Sequence, residues 1–311
     1  MKRLSIIGAG VIGLSTGILA QEKGYAVTLY TADDPLHTTS IKSAASFKPS
    51  EVVYNELAHA IIFPSFERFS QIQKTGRSSG VWMHTLWEAF SNTRKKEKYL
   101  SVMRDVEVIQ YPRVVGGYKH AWKYKTFFID TSAYIPWLIN LFSANGGTIE
   151  KLRHPFSTMS QLSKLPSDSI INCTGYGAKK LCRDELIVPI KGQIIVIGKL
   201  KQRWSINADG FYIYPRTHDT IVGGTYEWGV ENETVEGGAT YLIQKGNMRI
   251  VPSITKRKIL RVYAGIRPYR KRTIRIEKED IGGKRIIHQY GHGGAGVTLS
   301  WGSAEYALSL I

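Results

Sequence analysis

Cysteine is nearly missing from this 311-residue sequence. Only Cys173 and Cys182 occur, too few and too apolar in setting for a disulfide framework or a metal site. No metal is therefore expected, and a reducing, cytoplasmic compartment fits best. No run of about 18 apolar residues is found, so no membrane-spanning helix is expected. Low-complexity tracts and internal repeats are also missing. With 43% hydrophobic and 22% charged residues, the chain has an ordinary globular composition and enough length for a large buried core.

Acid is the scarcer charge, with 25 Asp and Glu against 42 Lys and Arg, a formal charge of +17. Such a balance suits nucleic acid, an acidic membrane surface or anionic small molecules. The basic residues fall in short scattered groups, Arg94-Lys95-Lys96, Lys256-Arg257-Lys258 and Arg270-Lys271-Arg272, with no long run and no nucleic-acid motif. General surface charge is the favoured reading, so neither nucleic acid nor membrane is an expected partner.

What is plentiful is glycine at fixed spacing. Leu4 to Ile7 reads as an apolar strand, Gly8-Ala9-Gly10-Val11-Ile12-Gly13 as a turn, and Val11, Leu14, Ser15, Ile18 and Leu19 as one face of a helix that Gly24 closes. Ala26 to Tyr30 supplies the second strand of a βαβ unit of about 30 residues. In that context Gly8 permits the tight turn, Gly10 lets a pyrophosphate approach the backbone, and Gly13 lets helix and strand pack closely. The helix start then meets the negative charge. The basic, apolar beginning of the chain imitates a secretory signal, but the glycine spacing and second strand explain the same residues better. A ribose-binding acid is expected at Asp33, slightly late after the strand. This motif implies a dinucleotide without choosing between FAD and a nicotinamide.

A second strand-loop-helix closes the chain. Arg285 to Tyr290 reads as a strand, Gly291-His292-Gly293-Gly294-Ala295-Gly296 as a loop, and Val297, Trp301, Ala304, Leu308 and Ile311 as a helical face. A helix start here aims its N–H groups at an anion, as a reduced flavin is. Further motifs lie between: Thr38-Thr39-Ser40, Asn172-Cys-Thr-Gly175, Lys191-Gly-Gln193, Tyr212-Ile-Tyr-Pro215 with Gly223-Gly224-Thr225, and Gly265-Ile-Arg-Pro268. In content and order these segments resemble the D-amino acid oxidase family, which includes D-aspartate and glycine oxidases, over nearly the whole length.

The resemblance implies an α/β fold: a dinucleotide-binding, Rossmann-like FAD domain interleaved with an α+β substrate domain built on an antiparallel sheet. Residues 1–48, 130–182 and 278–311 are assigned to the FAD domain, and 49–129 and 183–277 to the substrate domain. Independently, Phe211 to Pro215 and Thr220 to Val222 read as a hairpin, with Tyr212 and Tyr214 on one face and Phe211 and Ile213 on the other.

FAD is the implied cofactor. Its expected contacts are Gly8, Gly10, Val11, Ile12, Gly13, Asp33, Thr38, Thr39, Ser40, Ala44, Ala45, Lys48, Cys173, Thr174, Gly175, Gly293, Gly294, Gly296, Val297 and Thr298. Hydride removal to a flavin needs anchors rather than a catalytic triad, because the cofactor is the electron sink. Arg267 is the expected anchor, since a guanidinium grips a carboxylate through two parallel hydrogen bonds. Tyr212 matches the family tyrosine that meets the same carboxylate, and Gly294 the glycine whose carbonyl receives the amine.

Two positions depart from the family. Lys48 stands where glutamine is common, either as a second cation near the flavin or as a lysine pointing to solvent. A cation there would favour a second substrate carboxylate or assist flavin reoxidation. Ala208 replaces a lid tyrosine, which puts lid control of product release in doubt. The expected reaction is oxidation of a D-amino acid or related amine by hydride transfer from the α carbon, giving an imine and, with molecular oxygen, hydrogen peroxide. The alternative is a relative acting on a modified tRNA base or on a carrier-bound or specialised-metabolite amine. A homo-oligomer is compatible with both.

Overall fold

The computed structural model describes residues 2–115, 117–202 and 204–311. Leu4 and Ile6 are fully buried on one side of the first strand, Arg3–Ile7, and Ser5 on the other, where its hydroxyl meets that of Ser167 at 2.9 Å. A strand buried on both faces belongs at the centre of a parallel sheet. It lies there, between Ala26–Thr31 and Ser169–Asn172, parallel to both. Lys284–Tyr290 and Thr148–Lys151 extend the parallel sheet on either side, and Arg275–Ile281 adds an antiparallel edge. Position 278, the expected start of the third segment, thus falls inside an edge strand that begins three residues earlier.

Because the inner strands run parallel, Gly8, Cys173 and Gly291 all leave the sheet at one edge, the edge where open α/β sheets bind ligands. Helix Val11–Glu22 packs against Thr131–Ala144 and against the closing helix, Gly296–Leu308. The expected apolar face is buried or half-buried, but Gly13, Thr16, Gly17 and Ala20 are buried too. The sheet covers one side of the helix and two helices cover others, so a single amphipathic stripe is not enough. A side chain at Gly17 would come within 2.8 Å of the Phe142 ring.

The second sheet has nine strands among the described residues. Its long strands Ile187–Gly198 and Ile259–Arg270 pair antiparallel, placing Arg267 opposite Ile190. Phe211–Pro215 pairs antiparallel with Asp219–Gly223 on one side and with Trp204–Ala208 on the other. The rings of Tyr212 and Tyr214 stack at 4.9 Å on one face, while Phe211 and Ile213 join a separate apolar cluster behind. The chain runs from the parallel sheet to this one, back, out again and back, so the two sheets are interleaved in sequence. No helix among the described residues is long and apolar enough to cross a membrane.

Candidate active site

A cleft of about 670 Å³ lies between the two sheets, over the carboxyl ends of the parallel strands. Gly8 has a left-handed backbone (φ +104°), and a Cβ there would stand 2.5 Å from the Cys173 carbonyl oxygen. At Gly10 the nearest atom to an added Cβ is Ser40 Oγ, at 3.1 Å, so the turn presents bare backbone to the cleft. The Val11 N–H, at the helix start, donates to Ser40 Oγ at 2.9 Å. Gly13 does not line the cleft: its Cβ would meet the Gly8 carbonyl oxygen at 1.9 Å, which makes it a packing position.

Asp33 lines the outer end of the cleft and is exposed, whereas Asp34 accepts from the Leu36 N–H at 2.8 Å and caps a short turn. Thr38, Thr39, Ser40, Ala44, Ala45, Cys173, Thr174 and Gly175 continue the wall, joined at the far side by Gly293, Gly294, Gly296 and Val297. This elongated cradle, with bare glycine turns and two helix starts along it, fits a dinucleotide. Thr298 lies off it. Its hydroxyl donates to the Lys48 carbonyl at 3.0 Å and accepts from the Lys48 N–H at 3.2 Å, so it holds the Lys48 backbone.

Arg267 and Tyr212 meet at the inner end of the cleft. The guanidinium lies 4.8 Å above the Tyr226 ring, and Nη1 donates to the Thr225 carbonyl at 3.2 Å. Glycines make the space: a Cβ on Gly192 would stand 2.1 Å from Arg267 Nη1, and one on Gly223 2.1 Å from Tyr212 Cζ. Thus Lys191-Gly-Gln193 and Gly223-Gly224-Thr225 wall in the Arg267 guanidinium and the Tyr212 ring. Burial pushes the Tyr212 hydroxyl well above the ordinary tyrosine range, against the opposing charge of Arg267, and pushes Tyr226 up to about 12. Both are neutral donors near neutral pH.

Lys48 is neither a free cation nor a solvent-facing lysine. Its ammonium is 2.9 Å from Glu88 Oε1, while the other Glu88 oxygen accepts from the hydroxyls of Tyr99 at 2.6 Å and Tyr124 at 2.7 Å. Burial pulls the Lys48 ammonium down, but the charge and hydrogen bond of Glu88 outweigh it and hold the group above its ordinary value. Lys48 does line the cleft, and its pairing with Glu88 leaves it less able to draw a second substrate carboxylate than a free cation would be. Glu88 left one trace in the sequence, a lone acid in the otherwise apolar strand end Leu86 to Phe90. Glu51 left none, although it lines the inner end of the cleft and pairs with Arg267 at 3.6 Å.

A serine nucleophile finds no support in the geometry. Gly13-Leu-Ser15-Thr-Gly17 matches the pattern of a nucleophile elbow, but such a serine sits exposed on a strand-to-helix turn, and Ser15 is fully buried within helix Val11–Glu22. Among the described residues no group of His, Cys, Asp and Glu is arranged to hold a metal ion. Ala208, lining the cleft, ends a strand, and Asp209-Gly210, both with positive φ, turn directly into Phe211–Pro215. A two-residue turn of this type leaves no length for a lid there.

A family model described as FAD dependent oxidoreductase matches residues 3–310. The chain is 30% identical over 319 residues to a D-amino-acid oxidase of Rubrobacter xylanophilus, covering 100% of this chain and 96% of that protein. It is 32% identical over 321 residues to a D-amino-acid oxidase of Dictyostelium discoideum, covering 99% and 91%. Among solved structures, a glycine oxidase from Bacillus cereus superposes with a TM-score of 0.82 at 20% identity, covering 100% of this chain and 94% of the other.

Proposed function

The chain belongs to the family of FAD dependent oxidoreductases, and on that premise we propose that it oxidises a D-amino acid, or a related amino-acid-like amine, to the imine. The observation that supports this most is the convergence of Arg267 and Tyr212 on the inner end of the cleft, beside Gly293 and Gly294. In this reading the parallel sheet and its helices form the FAD domain and the antiparallel sheet the substrate domain. Gly8, Gly10 and the start of helix Val11–Glu22 hold the pyrophosphate, Asp33 the ribose, and the Gly293–Gly296 turn the flavin end.

Arg267 and the Tyr212 hydroxyl hold the substrate carboxylate, and the Gly294 carbonyl accepts from the amine. Binding at these points orients the Cα–H bond. The amine must lose its ammonium proton to water before its lone pair can form the C=N bond. FAD, when bound, supplies the acceptor for the electron pair of the Cα–H bond, with molecular oxygen as the final oxidant and hydrogen peroxide as its product. The imine leaves and hydrolyses.

Anaerobic mixing of the yellow protein with D-amino acids, glycine and N-substituted amino acids, followed by flavin absorbance, tests this. At least one of them should bleach the cofactor. In Arg267→Ala the KM should rise about thirty-fold or more, the loss of a charge-assisted pair of about 2 kcal/mol. Equal bleaching by parent and variant at low substrate would overturn the anchor. Failure of every amino acid, with salt-dependent retention on RNA, would favour a nucleic acid substrate instead.

A further inference from the structure

Glu51 sits at the seam between the inner end of the cleft and a smaller polar chamber of about 260 Å³, which Tyr54, Glu97, Tyr99 and Trp122 also line. Its placement is set by backbone. Glu51 has a left-handed φ of +44°, rare for a residue with a side chain, and its carbonyl accepts from the Gly294 N–H at 3.3 Å. A Cβ on Gly293 would stand 1.7 Å from the Glu51 carbonyl oxygen, and one on Gly294 2.1 Å from Glu51 Oε2. The carboxylate therefore rests against the glycine proposed to receive the substrate amine, and 3.6 Å from Nε of the arginine proposed to receive the carboxylate. An internal acid stands on the ground where a substrate acid has to bind.

We propose that Glu51 is a specificity-determining residue: it competes with the substrate carboxylate for Arg267 and, once displaced toward Lys48, faces the substrate as a fixed negative charge that favours cationic over anionic side chains. The inference rests on the proposed role of Arg267. A displaced Glu51 needs a new cation, and the other one acting on it, Lys48, is already engaged by Glu88 at 2.9 Å. The substrate's own amine cannot serve at the reacting stage, because it must be neutral to form the imine. A guanidinium or ammonium on the substrate side chain can, and the side chamber gives it room. A second carboxylate would meet Glu51 as a like charge.

The charged and titratable groups facing Glu51 are Arg267, Lys48, Tyr212 and Tyr226, with Glu88 and Arg94 beyond Lys48. Burial raises the Glu51 carboxyl above the usual range, opposed by Arg267 and Lys48. Neither tyrosine titrates near neutral pH. Protonation of Glu51 as pH falls removes its pairing with Arg267.

The test uses the FAD-loaded protein and propionate, a carboxylate with no amine to oxidise, in calorimetric titrations from pH 6 to 8. In the parent, propionate should bind more tightly as pH falls. In Glu51→Gln it should bind about ten-fold more tightly at pH 8, the equivalent of about 1.4 kcal/mol, with little dependence on pH. The ratio of kcat/KM for D-arginine over D-aspartate should drop at least about ten-fold in the variant. Glu51→Asn, suited to left-handed backbone, serves if the Gln variant fails to retain FAD. Unchanged propionate affinity and an unchanged substrate ratio in both variants overturn the inference. Arg267→Ala run in parallel separates the two failures. If it binds propionate as the parent does, the anchor reading falls; if it alone loses binding, only the role of Glu51 does.

Discussion

His84 and His292 are buried and pushed down to about 3 by burial. The ring of His84 bridges Ser46 Oγ at 3.1 Å and Ser205 Oγ at 2.8 Å, and that of His292 meets Ser303 Oγ at 2.9 Å. Both rings stay neutral in the folded protein where an unfolded histidine takes up a proton. The unfolded state binds more protons between pH 6.5 and 3, so stability from this source is complete above about pH 6.5 and falls as pH drops. At pH 5 the loss is about 2 kcal/mol for each histidine. Melting temperature should therefore fall from pH 7.5 to pH 5 while nitrogen NMR shows both rings neutral. A charged ring at pH 5 would contradict this.

Residues of the candidate site differ in how legible they are in the sequence. Arg267 and Tyr212 stand in local motifs whose glycines have a physical task, making room for a guanidinium or a ring. Glu51 and Glu88 act through partners 216 and 40 positions away, on other strands and turns. No spacing rule connects such pairs. Lys48 was visible as a lysine, but its ion pair with Glu88 was not, because only the fold brings the two side chains together.

Among the elements, strand-turn-helix units were the most legible, because a glycine between an apolar strand and a helix leaves few alternatives. The Asp209-Gly210 turn was legible in principle, as the two-residue hairpin signal, and it accounts for the short connection after Ala208. The helix faces were harder, because Val11–Glu22 and Gly296–Leu308 are buried nearly all round and carry no polar stripe. Close helix contact depends on small residues instead. At Gly302 a Cβ would stand 1.9 Å from the Ile61 carbonyl oxygen of helix Glu56–Lys74. Neither backbone can yield locally, so Gly302→Ala should push the two helices apart at a cost of about 1–3 kcal/mol. Urea unfolding should show a lower midpoint with an unchanged slope, whereas a neutral result would mean that the helices separate freely.

For the whole molecule, the decisive fact is that the cleft is made by segments far apart in the chain. The Gly8–Gly13 turn, the Cys173–Gly175 strand end and the Gly291–Gly296 turn meet only because their strands run parallel side by side. A cofactor bound across them contacts the folded arrangement and nothing comparable in the unfolded chain. FAD should therefore stabilise the fold by mass action, by about 2.7 kcal/mol at free FAD one hundred times its dissociation constant. Protein stripped of FAD should melt several degrees lower and recover as FAD is added back, the midpoint rising with the logarithm of FAD concentration. Riboflavin, which lacks the pyrophosphate and adenosine, should restore little of this, because on the proposed placement it would not reach from the Gly293 turn to Gly8 and Asp33. Equal recovery with riboflavin would place the binding energy at the flavin end alone and remove the glycine turn at Gly8 from the cofactor site.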